Sequence, residues 1–110
     1  MKAALLRELN GPLSVERVTI DAPAPDEVLV KVMASGLCHS DLHVIEGNIP
    51  QTLPAVLGHE ASGVVEAVGV NVGEFKPGDH VVSCLSQFCG ACRECLVGRS
   101  WLCENRKQLS

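Results

Sequence analysis

The sequence has few aromatic residues and no long apolar run. It contains no tyrosine, one tryptophan and two phenylalanines in 110 residues, so we expect a core built from Val, Leu, Ile and Ala. No stretch reaches the roughly 18 apolar residues that a transmembrane helix needs, and the sequence predicts no contact with membranes. The N-terminal segment carries Arg7 and Glu8 and lacks a small-residue cleavage site. We therefore predict a cytoplasmic protein without a secretory signal.

Basic residues are also too few for a nucleic-acid-binding protein. Lys and Arg together number 9 against 13 Asp and Glu, which gives a formal net charge of -4. A protein that binds nucleic acid through its backbone phosphates needs a basic face. Hydrophobic residues make up 46% of the chain and charged residues 20%, which is typical of one globular domain.

Short apolar segments with turn residues between them predict a mainly β fold with short helices. Asn10-Gly11 predicts a hairpin turn, and Val28, Val30 and Val32 are expected on one core-facing side of a strand. A short helix capped by Ser40 or Asp41 would follow. Many short strands are typical of a small barrel or sandwich, and the predicted strands are 2–9, 13–20, 27–35, 61–69 and 80–84.

Five of the six cysteines lie close together near the C-terminal end. Cys89, Cys92, Cys95 and Cys103 form the pattern C-x2-C-x2-C-x7-C within residues 85–105, the segment we call the cysteine lobe. Four thiolates at such spacing favour a structural zinc site. An iron–sulfur cluster is an alternative, although the proline that often follows the fourth cysteine is missing. Disulfides or free thiols are the other alternative.

A second group of ligand-type residues is dispersed along the chain: Cys38, Ser40, His43, His59 and Glu60. Taken one at a time, each has an ordinary structural explanation, because a single histidine is more often structural than a metal ligand.

The remaining notable side chains also have structural explanations. We expect Cys84 to be a buried strand thiol, with a third metal ligand as its alternative. His80 is expected to begin a strand, and Trp101 to pack the lobe onto the barrel or onto a partner.

Three motifs together resemble the zinc-containing alcohol dehydrogenases of the medium-chain dehydrogenase/reductase superfamily. The first is Gly58-His59-Glu60-x2-Gly63-x5-Gly69-x2-Val72, and the second is Cys38-His39-Ser40-Asp41-x-His43. The cysteine lobe matches the structural zinc lobe of that family in spacing. The resemblance implies a GroES-like β-barrel with a protruding zinc lobe, covering residues 1–110.

The resemblance also implies a second, catalytic zinc. Cys38 and His59 would be its ligands. Glu60 would lie next to these ligands without binding the ion, or would act as an alternate ligand. Asp41 would orient the histidine ligand, since a carboxylate on the second ring nitrogen fixes its tautomer and basicity.

The same resemblance implies oxidation of an alcohol to an aldehyde or ketone through a zinc alkoxide, with hydride transfer to NAD or NADP. Ser40 would take the alcohol proton and His43 would pass it to solvent. His39 would help hold the cofactor pyrophosphate.

The chain departs from the family pattern in two respects. It has no G-x-G-x-x-G motif, so we expect the nucleotide-binding domain to be absent. The family's third catalytic ligand lies beyond residue 110. We therefore expect an N-terminal fragment that binds zinc without turnover and whose exposed apolar surface favours a homo-oligomer. A glutathione-linked formaldehyde dehydrogenase or a reductase remains a further alternative. So does a non-catalytic zinc module, or a truncated remnant that serves as an interaction domain.

Overall fold

The structure is a computed structural model, and it describes residues 1–105. It confirms a mainly β fold with short helices. No helix in that range is long and apolar enough to cross a membrane. In chain order the elements are β1 (Lys2–Leu6), β2 (Leu13–Arg17), β3 (Val28–Ser35), α1 (His39–Ile45), β4 (Ala55–Val56), β5 (Ala61–Val68), β6 (His80–Val82), α2 (Arg93–Leu96) and a 3-10 helix (Ser100–Leu102).

The first sheet has three antiparallel strands in the order β2-β1-β4. β1 and β2 form the predicted hairpin, in which Leu6 pairs with Leu13. Asn10 has a φ of 59°, which its short polar side chain tolerates better than most residues do. The backbone N–H of Asn10 donates to the carbonyl of Ile45 at 2.7 Å. This bond ties the hairpin turn to the end of α1.

The second sheet has the order β3-β5-β6 and is also antiparallel. The ladder between β3 and β5 runs from the pair Val28 and Val68 to the pair Ser35 and Ala61, with two irregularities along β3. Gly63 lies where a Cβ would overlap the backbone of β3 and come 2.8 Å from Val30 Cγ1. A glycine is therefore required for the close approach of these two strands.

Few side chains of residues 1–105 are buried. The buried apolar residues of the two sheets are Leu5, Leu6, Ala55 and Val65. The prediction that Val28, Val30 and Val32 form core is wrong, since Val32 is 54% exposed, Val28 is also exposed and Val30 is half-buried. The physical reason is that no other layer of the described chain covers this side of β3.

Helix α1 begins at least two residues earlier than predicted. Its N-cap is Cys38, and Asp41 is the third helical residue. The Asp41 carboxylate accepts a hydrogen bond from the Cys38 N–H at 3.3 Å, which is the second half of a capping box. The prediction of Ser40 or Asp41 as N-cap is therefore corrected, because Asp41 caps the helix from inside it.

Candidate functional site

Three of the dispersed residues meet at one end of the second sheet. Ligand atoms of Cys38, His59 and Glu60 all lie within 4.8 Å of one another. Cys38 follows β3 and caps α1, whereas His59 and Glu60 precede β5. A thiolate, an imidazole and a carboxylate are ligand types that zinc takes in proteins, so this donor set fits a zinc ion.

Two side chains of α1 surround the His59 ring. The Asp41 carboxylate oxygen lies 3.3 Å from His59 Nδ1, so the ring directs Nε2 away from Asp41. The Ser40 hydroxyl lies 3.3 Å from His59 Nε2 and 2.9 Å from Cys38 Sγ. Helix α1 therefore carries both the Asp41 carboxylate next to His59 Nδ1 and the Ser40 hydroxyl next to His59 Nε2.

The thiol and the imidazole shift each other's titration. The pKa of Cys38 is lowered, first by the Ser40 hydroxyl, then by the Ser40 backbone and His59. The pKa of His59 is raised, mainly by its hydrogen bond with Cys38, while partial burial opposes the shift. The lowered pKa of Cys38 favours its thiolate, which is the form of cysteine that binds a metal.

Two residues that support this cluster were not found from the sequence. A Cβ on Gly36 would overlap the Glu60 carboxylate, so Gly36 makes room for that side chain. The Ser83 hydroxyl donates to the carbonyl of His59 at 2.6 Å and accepts from the Ala61 N–H at 2.9 Å. Neither residue belongs to a motif that can be recognised in the sequence, because both support the cluster only once the strands have paired.

An open cleft of about 630 Å³ adjoins the cluster. His59 and Glu60 line one part of it, and Val82, Leu85 and Cys84 line another. Cys84 is exposed in this cleft and follows β6, so the prediction of a buried strand thiol is wrong. The reason is that β6 ends at Val82, which leaves Cys84 in an irregular, solvent-facing segment.

His39 and His43 both lie on α1, and their rings are in contact. Their ring centroids are 4.8 Å apart, and the ring planes are inclined at 71°. His43 Nδ1 lies 3.7 Å from the Glu46 carboxylate and 3.4 Å from the Asn48 side-chain amide. Neither histidine belongs to the group formed by Cys38, His59 and Glu60.

The four lobe cysteines form the second ligand group, with Sγ atoms mutually within 4.8 Å. Cys92 Sγ is 3.4 Å from Cys95 Sγ and 4.0 Å from Cys103 Sγ. A tetrahedral zinc with Zn–S bonds of about 2.3 Å places sulfur atoms about 3.8 Å apart. These separations therefore suit one tetrahedral ion and are much longer than the roughly 2 Å of a disulfide.

Backbone N–H groups of the lobe point at its sulfur atoms. Cys89 Sγ accepts from the N–H groups of Ala91 and Cys92 at 3.5 and 3.3 Å. These two donors lower the pKa of Cys89 to about 6, whereas burial raises the pKa of Cys95 to about 12. Asn105, which the sequence did not single out, donates its N–H to Cys103 Sγ at 3.4 Å.

Two further predictions concern residues outside the clusters. His80 begins β6, as predicted. Trp101 lies in the 3-10 helix and is 57% exposed, so packing of its ring onto the barrel or onto a partner remains a prediction.

Comparisons with known proteins agree on one family. The family model of the alcohol dehydrogenase GroES-like domain matches residues 24–109. The NDMA-dependent alcohol dehydrogenase of Amycolatopsis methanolica is 48% identical over 103 residues, which is 94% of this chain and 28% of that protein.

Solved structures show the same similarity in three dimensions. An alcohol dehydrogenase zinc-binding domain protein from Burkholderia ambifaria is 48% identical with a TM-score of 0.84, covering 94% of this chain and 28% of that one. An NAD-dependent alcohol dehydrogenase is 41% identical with a TM-score of 0.86, covering 99% and 33%. The chain thus spans about a third or less of the relatives it matches.

Proposed function

The chain belongs to the alcohol dehydrogenase GroES-like domain family, and on that premise we propose that it is the N-terminal catalytic-domain portion of a zinc-dependent alcohol dehydrogenase. The parent enzyme oxidises an alcohol to an aldehyde or ketone and passes a hydride to NAD or NADP. The 110 residues alone bind zinc without turnover, because the sequence carries no G-x-G-x-x-G motif. The described cysteines are free thiols without disulfides, which is usual in a reducing compartment and supports a cytoplasmic location.

The observation that carries the proposal is the convergence of Cys38, His59 and Glu60 with Asp41 behind the imidazole. A domain that used zinc only to fold would need the cysteine lobe and nothing more. The second group instead borders an open cleft, as a site that admits a substrate must. This argues against the alternative of a purely structural zinc module.

Cys38 and His59 would hold the catalytic zinc, with Glu60 as an alternate ligand. When bound, this ion would lower the pKa of an alcohol hydroxyl at the site. Asp41 keeps the His59 proton on Nδ1 and so leaves the Nε2 lone pair for the metal. Gly36 leaves the Glu60 carboxylate the space in which to approach or withdraw.

Ser40 is the first group of the proposed proton route. Its hydroxyl lies within hydrogen-bond reach of both Cys38 and His59, and a hydroxyl can accept one proton while it donates another. His43, one turn further along α1, would deliver the proton to solvent, since an imidazole can accept a proton on one ring nitrogen and release one from the other. His39 would meet the pyrophosphate of the cofactor. The lobe cysteines would hold the structural zinc.

The test uses the complete enzyme and a matched pair of histidine variants. We expect His59→Gln to lose one zinc ion and at least about 100-fold in alcohol-dependent reduction of NAD or NADP, because it removes a metal ligand. His80→Gln changes an exposed histidine that opens β6, and it should keep both. Full activity and full zinc content in the His59 variant would refute the proposed role of this cluster.

A further inference from the structure

We propose that His39 and His43 form a separate binding site for a divalent transition-metal ion on the solvent side of α1. The two residues are four positions apart in the helix and therefore lie on one face. Their rings are already in contact, with centroids 4.8 Å apart. His39 is exposed, and the His43 side chain is 44% exposed, so an ion from solvent can reach both.

The ring geometry suits chelation by one ion. A metal bonded to both Nε2 atoms at about 2.0–2.1 Å lies roughly 3.2 Å from each ring centre. With an angle between the two bonds of about 90–110°, the centroids are then about 5 Å apart. The observed centroid separation of 4.8 Å matches this value, so rotation of the two rings about their side-chain bonds can bring both Nε2 atoms to one ion without a shift of the helix.

A carboxylate behind His43 is the second observation that points to a metal. Glu46 Oε2 lies 3.7 Å from His43 Nδ1. Asn48 donates to that same carboxylate at 3.0 Å and holds it beside the ring. When Nε2 binds a metal, the proton of the neutral ring lies on Nδ1, where this carboxylate can accept it, which is the usual support of a histidine that binds a metal.

The chemistry of the pair selects the class of ion. Neutral imidazoles prefer Zn²⁺, Ni²⁺ and Cu²⁺ over Mg²⁺ or Ca²⁺. With only two protein ligands, water completes the coordination, so this site binds more weakly than the four thiolates of the lobe. It fills only when free metal is in excess.

A functional consequence follows, and it rests on the proposed function. An ion between His39 and His43 occupies the two imidazoles assigned to cofactor contact and proton delivery. Excess Zn²⁺ then inhibits the complete enzyme even though the other zinc sites are full.

The experiment measures binding without turnover. The zinc-loaded chain is titrated with Ni²⁺, and the four histidine side chains are followed by NMR. We expect paramagnetic broadening of His39 and His43 at the lowest Ni²⁺ levels, with His80 unaffected. His39→Gln should weaken Ni²⁺ binding at least tenfold, and Glu46→Gln about tenfold, whereas His80→Gln should not change it.

The outcomes separate the two proposals. Equal Ni²⁺ affinity of the His39 and His80 variants, or uniform broadening of all four histidines, overturns the site. Binding at His39 and His43 together with a complete enzyme that lacks dehydrogenase activity supports the site and overturns the proposed function. Binding without inhibition of an active enzyme overturns the regulatory consequence.

Discussion

Replacement of Cys92 by serine should remove one zinc ion per chain and unfold the cysteine lobe. Cys92 Sγ is the sulfur atom in contact with both Cys95 and Cys103. Its N–H also donates to Cys89 Sγ, so the residue joins all members of the cluster. A serine hydroxyl is a poor ligand at neutral pH because it does not ionise as a thiol does.

The expected size of the effect comes from the lack of an apolar core in the lobe. Between residues 85 and 105, the buried apolar side chain is that of Cys103, itself a member of the cluster. The large apolar side chains of the lobe stay exposed, with Leu96 at 74% and Phe88 at 57%. Even a fully buried leucine contributes only about 1.5–3 kcal/mol, and these are less than half buried.

Zinc ligation therefore supplies most of the stability of the lobe. Structural zinc sites bind with apparent free energies of about 10–16 kcal/mol. A few apolar side chains that are more than half exposed contribute much less. Loss of the ion should consequently leave residues 85–105 unfolded while both sheets persist.

The assay combines metal analysis with the fluorescence of the single tryptophan. Zinc per chain is measured after dialysis, and Trp101, which lies within the lobe, reports its unfolding by fluorescence. Far-UV circular dichroism should retain the strand signal. Cys84→Ser is the matched control, because Cys84 belongs to neither ligand group. Unchanged zinc content and tryptophan emission in the Cys92 variant would refute the four-thiolate assignment.

Three further predictions concern strand packing, an ion pair and thiol reactivity. Gly63→Ala should destabilise the chain by about 1–3 kcal/mol in urea unfolding, since its Cβ overlaps β3; Gly73→Ala, with open space around it, should cost nothing. Arg7 lowers the pKa of Glu16 to about 2 from an ordinary value of 4.5, so the pair stabilises the fold above pH 4.5 and loses this effect as pH falls towards 2. Arg7→Gln should raise that pKa towards 4.5 by NMR titration, and an unchanged value would contradict the pairing. In the zinc-free chain, Cys89 should be alkylated first, with a midpoint near pH 6 by mass spectrometry; slower reaction than at the other lobe cysteines would contradict the hydrogen-bond argument.

Local patterns predicted the strands and the turns well. The five predicted strands all exist, although four of them end earlier than their apolar patterns suggest. Lys76-Pro77-Gly78-Asp79, which carries the typical turn residues Pro and Gly, forms a turn, with Gly78 at a φ of 96° and a bond from the Asp79 N–H to the Lys76 carbonyl. Such turns depend on neighbouring residues alone, and a sequence shows them directly.

Burial could not be predicted in the same way. The valines of β3 have a strand-like spacing that is independent of whether another layer covers them. The strand β4 and the helix α2 were not predicted, because two and four residues carry too short a pattern. The exposure of Cys84 similarly depends on where β6 ends.

The position of the metal-binding group follows from strand register. Cys38 and His59 are 21 residues apart in sequence, and this spacing alone does not bring them together. The β3–β5 ladder ends with Ser35 opposite Ala61, and the Gly36 N–H donates to the Glu60 carbonyl at 2.9 Å.

Cys38 comes three residues after one strand end and His59 two residues before the other, so both leave the sheet at the same edge. A slip of one residue would turn each side chain of β5 to the opposite face and separate the ligands. Gly63 permits the close pairing that fixes this register. Gly63, which belongs to the Gly58-His59-Glu60 motif, thus supports the metal-binding group indirectly, because it allows the two strands to pair in this register.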